Sequence, residues 1–410
     1  MDKIYILKNR IQEYAWGSYT AIPELLGQKK PSEKPQAELW MGAHPKASSE
    51  LEYEGKQILL SDLIRKEPEK ILGKAVAEKF RGNLPYLFKV LAAAKPLSVQ
   101  AHPDAKQAIQ GFERENRLNI PLDAPNRNYK DSSHKPECIC ALSPFRALKG
   151  FRPIPEILFL TEKICPQGLK KERLMLEAQP NSKGLKQFFQ SLMTMPEERK
   201  KQVIAETLAN TEKFSAENPA FREIPVLHKE YPSDIGVLSP LFLNLICLAP
   251  GQSMFLPAGE LHSYLDGVGL ELMANSDNVL RGGLTPKHVD VPELLNVLTF
   301  EAREVSLISP RQISEYERIY PTPAAEFCLS VIAVTSDMSN AAFSVSGVEI
   351  LLCTAGKAEM TQEDGHSVSL SKGVSVIVPV SARKYSIKGN AMIYKASVPG
   401  SAIEEVIHRP

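Results

Sequence analysis

The sequence predicts a mainly β protein in which a block of helices is inserted into the first of two β domains. Most of the chain consists of short apolar runs separated by Gly and Pro, which is typical of strands and tight turns. Between about residues 153 and 232, apolar residues recur at helical spacing opposite charged faces. A spacing of Gly, five residues and Pro occurs twice, at Gly251 and Pro257 and at Gly373 and Pro379. This repeat indicates two β units of one type.

The overall composition is that of an ordinary soluble protein. A length of 410 residues predicts two or three domains at about 150 residues each. A formal net charge of +1 argues against a nucleic-acid or membrane-surface partner. No apolar run approaches the ~20 residues of a membrane span, and the first residues lack the apolar region of a signal peptide. We therefore expect a cytoplasmic protein.

The cysteines support the same compartment. The chain has six of them, none in a C-x-x-C pair, and four lie inside apolar, strand-like runs. We expect buried free thiols in a reducing environment rather than a metal or disulfide framework.

The predicted domain limits follow these changes in pattern. Residues 1–152 and 233–318 are assigned to the first β domain, residues 153–232 to the helical insertion and residues 319–410 to the second β domain. The segment TPKHVDVPELLNVL adds a short helix, for which Thr285 is the expected N-cap and Pro286 the first residue.

The stretch GQSMFLPAGELHSYLD contains the first candidate for chemistry. Pro257 cannot donate a backbone hydrogen bond and Gly259 can adopt a positive φ, so the two predict a sharp bend before His262. The spacing is close to that of the second motif of cupins, in which the His is a metal ligand. The later copy at Gly373 and Pro379 lacks the His. We therefore expect two cupin-like jelly-roll domains, the second without metal.

A lone His is more often a hydrogen-bonded core residue, so the metal hypothesis needs partners. Gln100 and His102 lie in a probable strand and, with Ser98, point to one side of it. Glu137 enters another strand on the same face as Lys135. Two nitrogen and two oxygen donors without a thiolate suit one catalytic Zn²⁺ per chain. The four predicted metal ligands are Gln100, His102, Glu137 and His262.

Five strings give the sequence a strong resemblance to type I mannose-6-phosphate isomerases: YAWGS, AELWMGAHP, PLSVQAHPD, HKPE and ELMANSDNVLRGGLTPK. The resemblance implies a zinc-dependent interconversion of mannose 6-phosphate and fructose 6-phosphate. The metal ligands of the family fall on the same four residues, and its catalytic arginine falls on Arg281.

An aldose–ketose isomerase needs a base for the C2 proton and a cation at the developing oxyanion. Lys135 and Glu271 are alternative bases, and His134 is a candidate for assisting ring opening. Arg281 stays charged, so we assign it to the enediolate or the phosphate. The remaining candidates for substrate contacts are Ser98, Lys95, Lys287 and Asp277.

Two other functions remain open at this point. The chain could be another cupin enzyme, such as a dioxygenase or an epimerase, or a non-catalytic sugar-binding module. Oxygenases use redox iron, commonly with two His and one carboxylate. The expected partner is a small sugar phosphate, and a monomer is expected although the sequence does not determine the oligomeric state.

Overall fold

The computed structural model of the chain describes residues 1–337 and 341–400, so residues 401–410 of the predicted second β domain lie outside it. The fold class is confirmed: the described chain is mainly sheet with a block of helices between two groups of strands. The strands are β1 (Tyr5–Ile6), β2 (Arg10–Gln12), β3 (Glu38–Met41), β4 (Glu50–Tyr53), β5 (Lys56–Leu59), β6 (Tyr86–Ala93), β7 (Gln100–Ala101), β8 (Glu137–Ala141), β9 (Phe145–Phe151), β10 (Leu243–Leu248), β11 (Ser253–Leu256), β12 (His262–Ala274), β13 (Leu280–Arg281), β14 (Arg311–Gln312), β15 (Glu317–Tyr320), β16 (Cys328–Val334), β17 (Ala341–Ser344), β18 (Glu349–Gln362), β19 (Ser367–Ser371), β20 (Ser375–Val378) and β21 (Lys384–Ser397).

Most of the longer helices lie in the insertion. The helices are α1 (Ala21–Leu25), α2 (Leu60–Lys66), α3 (Pro68–Leu72), α4 (Lys74–Lys79), α5 (Ala105–Arg117), α6 (Ile154–Ile164), α7 (Lys170–Ala178), α8 (Ser182–Met193), α9 (Glu197–Phe214), α10 (Pro219–Glu230), α11 (Ser239–Phe242) and α12 (Val291–Val297). Outside the insertion, the long helix is α5. Among the described residues, no helix is both long enough and apolar enough to cross a membrane.

The first sheet is built around β12. Its ten strands run in the order β10-β9-β12-β6-β3-β2, and β7, β8, β11 and β13 attach to this path. The strand β12 pairs with four others, β6, β7, β8 and β9, all antiparallel. Because strands before and after the helical block pair directly, the helices are an insertion within one sheet.

The second sheet repeats this arrangement. Its nine strands run in the order β1-β20-β18-β21-β16-β15-β14, with β17 on β21 and β19 on β18. In the first sheet Glu137 lies opposite Leu256, the last residue of β11. In the second, Glu349 lies opposite Val378, the last residue of β20. In both sheets a glutamate at the start of one strand is therefore paired with the last residue of the neighbouring strand.

The units built on the first and second sheets are called the first and second barrels below. The interior of the second barrel holds a buried ionic cluster in place of imidazoles. The Lys395 ammonium lies 2.8 Å from a carboxylate oxygen of Glu317 and 3.5 Å from one of Glu349. The hydroxyl of Tyr385 donates to Glu349 at 2.8 Å. All four side chains are buried. Both carboxylates thus share one cation that belongs to the chain itself.

The two barrels are joined by a continuous apolar core. It contains Leu270 and Leu272 of the first barrel together with Ile350 and Leu352 of the second. Tyr86 extends from the first barrel, and its hydroxyl donates to backbone carbonyls of the second at 3.1 and 3.3 Å. Because these aliphatic side chains are buried against one another, they fix the two barrels relative to each other.

The inserted helices pack on the opposite side of the first barrel. Val99 and Ala101, which alternate with Gln100 and His102 along the chain, are fully buried against this helical cluster. Of the six cysteines, five are buried and none forms a disulfide in the described chain, whereas Cys247 is exposed.

One predicted helix start is wrong. The helix α12 begins at Val291, and its N-cap is Asp290, whose carboxylate accepts the backbone N–H of Glu293 at 3.1 Å. Thr285 accepts only the N–H of Lys287, two residues on, at 3.1 Å. The bond of Thr285 closes a turn and caps no helix, because residues 286–290 are not helical and the helix begins only at Val291.

Candidate metal centre

One row of side chains crosses the first sheet at the start of β12. His262 is paired with Gln100 of β7 on one side and with Lys149 of β9 on the other. Gln100 is in turn paired with Arg281 of β13. Residues directly opposite each other in antiparallel strands project from the same face. The register therefore gives Lys149, His262, Gln100 and Arg281 a common face.

The bend before β12 has the predicted form. Gly259 has a φ of +74°, and a Cβ added there would lie 3.0 Å from the carbonyl oxygen of Val297. The Gly259 N–H donates to the His102 carbonyl at 2.8 Å. The bend thus both directs His262 inward and holds the backbone at His102.

Three ionisable side chains converge inside the barrel. The His102 Nε2 atom lies 3.4 Å from one carboxylate oxygen of Glu137, and the His262 Nε2 atom lies 3.3 Å from the other. The imidazole centroids are 5.1 Å apart. Both imidazoles are fully buried and Glu137 is 2% exposed. Their donor atoms lie within 4.8 Å of one another, which is compatible with one shared metal ion.

The outer nitrogens of both imidazoles are held by backbone carbonyls. Nδ1 of His102 lies 2.7 Å from the carbonyl of Asn278, and Nδ1 of His262 lies 3.1 Å from that of Glu260. A carbonyl only accepts, so each Nδ1 carries the proton and each Nε2 presents a lone pair. This is the arrangement of metal-bound histidines.

Neither Nε2 atom has a hydrogen-bond partner in the described chain, although both are buried. An unsatisfied buried nitrogen is costly unless a ligand supplies the missing interaction. Burial, together with the charge of Lys135, lowers the pKa of His102 to about 4 and keeps the imidazole neutral. The residues therefore fit a divalent metal ion.

Glu137 is kept ionised by its neighbours. The Lys135 ammonium lies 2.9 Å from a carboxylate oxygen of Glu137, so the two predicted neighbours are in direct contact. Burial raises the pKa of Glu137, but Lys135 and the two imidazoles outweigh it and hold the pKa well below its usual value. A carboxylate that is charged at neutral pH is ready to bind a cation.

A second buried cluster adjoins the centre. The Lys89 ammonium lies 2.8 Å from Glu271 and 3.8 Å from Glu38, and the hydroxyl of Tyr264 donates to Glu271 at 3.0 Å. Burial raises the pKa of Glu271. Burial alone would lower the pKa of Lys89, but Glu271 and Glu38 outweigh it and raise it. Lys89 was not among the predicted site residues, although a lysine within the apolar run YLFKVLAA was a signal.

Arg281 and Lys287 are two nearby cations without an acidic partner among the described residues. In residues 1–337 and 341–400, no carboxylate oxygen lies within 4.0 Å of either side chain's nitrogens. Burial lowers the pKa of Arg281, and burial together with the charge of Arg281 lowers that of Lys287. Two neighbouring positive charges that no carboxylate neutralises favour the binding of an anion.

Other predicted substrate contacts are engaged elsewhere. Asp277 lies 2.8 Å from the Lys46 ammonium and 3.6 Å from His44 Nε2. Lys95 is exposed and forms a 2.9 Å ion pair with Glu230 at the end of α10.

The two remaining candidates sit at the edges of the centre. His134 Nε2 lies 2.7 Å from a carboxylate oxygen of Glu326, in the segment before β16. Ser98 is half-buried two residues before Gln100. Its position along the chain, rather than a described contact, associates it with the row of Gln100 and Arg281.

Comparisons with known proteins agree with this architecture. Residues 4–154 match phosphomannose isomerase type I, catalytic domain, and residues 167–243 match the helical insertion domain of the same family. The mannose-6-phosphate isomerase of Escherichia coli (strain K12) is 40% identical over 391 residues, covering 94% of this chain and 97% of that protein.

Solved structures give the same result. A lysine-to-alanine mutant of phosphomannose isomerase from Salmonella typhimurium aligns with a TM-score of 0.90 and 39% identity, covering 97% of this chain and all of that one. A zinc-bound mannose 6-phosphate isomerase aligns with a TM-score of 0.89 at 39% identity and the same coverage. The chain belongs to the type I phosphomannose isomerase family.

Proposed function

We propose that this chain interconverts mannose 6-phosphate and fructose 6-phosphate with the help of one zinc ion. The observation that carries the proposal is the buried group of His102, Glu137 and His262, in which two imidazole nitrogens face a carboxylate and have no other partner in the described residues. The mannose-6-phosphate isomerases among its relatives, and the zinc-bound structure of one, support the substrate and the metal.

The zinc ligands are proposed to be His102, Glu137, His262 and the amide oxygen of Gln100. The pairing of Gln100 with His262 supports the fourth ligand, since the two residues share a face of the sheet. When bound, zinc supplies a Lewis acid that polarises a sugar oxygen. The chain's own residues then have to position the open sugar, exclude water and move one proton between C2 and C1.

Two side chains are candidates for moving that proton. Lys135 lies beside the metal carboxylate Glu137, so its amine would be close to a sugar bound there. Glu271 is held by Lys89 and Tyr264, which fix its orientation, and burial raises its pKa towards neutrality. His134 remains the proposed helper in ring opening, although its ring is already paired with Glu326.

The negative charges of the substrate are assigned to the uncompensated cations. Arg281 is proposed to stabilise the enediolate oxygen or the phosphate, because its guanidinium is permanently charged and has no carboxylate partner in the described chain. Lys287 is proposed as a phosphate contact, with Ser98 and Asp277 at the periphery. Lys95 is the weakest of these candidates, because Glu230 already neutralises it.

The proposed roles of the domains follow the domain limits predicted from the sequence. Residues 1–152 and 233–318 are proposed to form the catalytic domain, 153–232 the helical insertion and 319–410 a second barrel without metal. All the proposed ligands come from one chain, so a monomer would contain the complete metal site. Buried free thiols in the described chain are consistent with a reducing cytoplasm. Analytical ultracentrifugation of the active enzyme tests the oligomeric state.

Incubation with mannose 6-phosphate in deuterated water tests the function directly. Zinc-loaded protein is expected to form fructose 6-phosphate, and deuterium at the transferred position would show that the base exchanges the proton of an enediolate with solvent. Absence of product from fully metallated protein would overturn the proposal. Product without deuterium would retain the isomerase and show that the hydrogen moves from C2 to C1 without exchange, either through a base shielded from water or by a hydride shift.

A further inference from the structure

Asn278 connects the metal centre to the rest of its domain. It lies between β12 and β13, fully buried, three residues before Arg281. Its carbonyl oxygen accepts the hydrogen bond from Nδ1 of His102 at 2.7 Å. The position of the Asn278 backbone therefore sets both the tautomer and the ring orientation of His102.

The side chain of Asn278 binds a different part of the centre. Its Oδ1 accepts the backbone N–H of Lys130 at 2.7 Å and that of Asp131 at 3.2 Å. Its Nδ2 donates to the carbonyl oxygens of Asp131 at 2.8 Å and Ser133 at 2.9 Å. These residues form the loop that leads into Lys135 and Glu137. One amide thus holds the loop through four backbone groups.

The loop is also held by the neighbours of Asn278. The Asp131 carboxylate accepts the backbone N–H of Asp277 and the hydroxyl of Ser276, both at 2.9 Å. The Ser276 hydroxyl in turn accepts the N–H of Asn278 at 3.2 Å. The segment 276–278 and the loop 130–133 are therefore joined through the short side chains of Asp131, Ser276 and Asn278.

We infer that Asn278 is a positioning residue that sets the geometry of His102 and Glu137 and the placement of Arg281. The carbonyl of Asn278 holds His102, and its side chain binds the loop that leads to Glu137. Arg281 follows Asn278 by three residues in the chain. The part of this inference that concerns Arg281 rests on the proposed function. The part that concerns the two metal ligands requires only that they bind a metal.

The chemistry of the contacts explains why an amide is needed. The side chain must accept from two N–H groups and donate to two carbonyls, which only Asn or Gln can do. Asp has the same shape, but in Asn278→Asp an oxygen would face the carbonyls of Asp131 and Ser133. A buried acceptor facing acceptors is costly, so the loop should move away from the segment 276–278. Asn278→Ala removes the same bonds without repulsion.

Asn275 provides a matched control in the same segment. Its Nδ2 donates to the carbonyl of Leu84 at 2.7 Å, and its backbone N–H donates to the carbonyl of Pro85. These bonds lead towards β6 and not to the loop before Glu137. Asn275→Ala therefore removes a partly buried amide-to-carbonyl hydrogen bond while leaving the contacts of Asn278 in place.

The test measures metal binding separately from turnover. For wild type, Asn278→Asp, Asn278→Ala and Asn275→Ala, the zinc dissociation constant is determined by competition with a chromogenic chelator. The visible absorption of cobalt-substituted protein reports the coordination geometry, and urea unfolding of metal-free protein reports stability. We expect both Asn278 variants to bind zinc about 10- to 100-fold more weakly and to change the cobalt spectrum. Asn275→Ala should lose stability yet keep wild-type affinity and spectrum.

Wild-type zinc affinity and cobalt spectrum in either Asn278 variant would overturn the inference. Equal weakening by Asn275→Ala at matched stability would overturn it as well, because the effect would then be general. If Asn278→Asp does not fold, Asn278→Ala decides the question alone. A wild-type protein that fails to isomerise mannose 6-phosphate would refute the proposed function, while the zinc measurements would still decide whether Asn278 positions the ligands.

Discussion

The backbone N–H of Gly259 donates a 2.8 Å hydrogen bond to the carbonyl oxygen of His102. Two segments that are more than 150 residues apart in the chain, the bend before β12 and the end of β7, are thereby joined beside the metal centre. Because of this bond, Gly259 helps to hold the backbone of the metal centre as well as forming the turn.

Gly259→Ala is expected to weaken zinc binding and lower the free energy of unfolding. An alanine at φ +74° costs about 1–2 kcal/mol, and contact with Val297 adds about 1–3 kcal/mol of strain. Gly251→Ala is the matched control, since Gly251 has a φ of +84° but open space at its Cβ position. Urea unfolding and chelator competition compare the two variants. Equal losses would show that the local contacts of Gly259 are unimportant.

His262→Ala is expected to abolish stoichiometric zinc binding and activity together. Removing a group that merely orients a ligand typically costs about 10–100-fold in metal affinity, so removing a ligand should cost more than about 100-fold. His228→Ala, in the last turn of α10, is the control. Metal analysis after dialysis provides the measurement. One zinc per chain retained in His262→Ala would contradict the ligand assignment.

Arg281→Ala should keep its zinc and lose most of its turnover. Its guanidinium is assigned to the developing negative charge, and removal of one such donor costs about 10²–10³-fold in kcat. Metal content and steady-state kinetics are measured on the same sample. A variant with full zinc occupancy and wild-type kcat would remove Arg281 from the mechanism.

Lys287→Ala should raise KM for mannose 6-phosphate more than it lowers kcat. A hydrogen bond to a charged group contributes about 1.5–3 kcal/mol, which corresponds to about 10- to 100-fold in kcat/KM. Lys388→Ala is the control, because Lys388 is exposed on β21 of the second sheet. If the two variants had the same kinetics, Lys287 would not hold the phosphate.

The ion pair between His134 and Glu326 predicts a pH-dependent stability. The hydrogen bond to Glu326 raises the pKa of His134. The contribution of His134 is therefore complete below its unfolded pKa of about 6.5 and is lost as the pH rises through its folded pKa.

Urea unfolding of wild type and His134→Gln tests this dependence. The stability difference should be largest near pH 5–6 and vanish by about pH 9. It should stay below about 1 kcal/mol, because the imidazole is 36% exposed and screened by solvent. Glu326→Gln should abolish the same dependence. A difference that grows with pH would contradict the assignment.

The sequence predicted what depends on local spacing. The bend at Pro257 and Gly259 is fixed by residues close together in the chain, and it was confirmed by the positive φ of Gly259. The fold class was also predicted, because hydrophobic periodicity changes sharply at the edges of the helical block. The convergence of His102 and Glu137 on His262 was predicted with the help of the known spacing of cupin motifs.

What escaped prediction depends on contacts between distant segments. The burial of Lys89 follows from the register of β3, β6 and β12, which sets Glu38 and Glu271 beside it. The pairing of Lys95 with Glu230 depends on how the helical insertion packs against the first barrel. The network of Asn278 joins two loops whose approach no periodic pattern encodes.

The buried charges of the two barrels have a further consequence for thermodynamic linkage. In the second barrel, Lys395 and Tyr385 contact the carboxylates. The cation there is a lysine side chain, which cannot dissociate because it is part of the chain. In the first, the Nε2 atoms of His102 and His262 have no protein partner in the described chain, and their cation must come from solution. The unfolding free energy of the first barrel therefore varies with free zinc by mass action, while the second barrel's own contribution is constant. Loss of zinc therefore removes stabilisation from the first barrel and leaves the ionic cluster of the second intact.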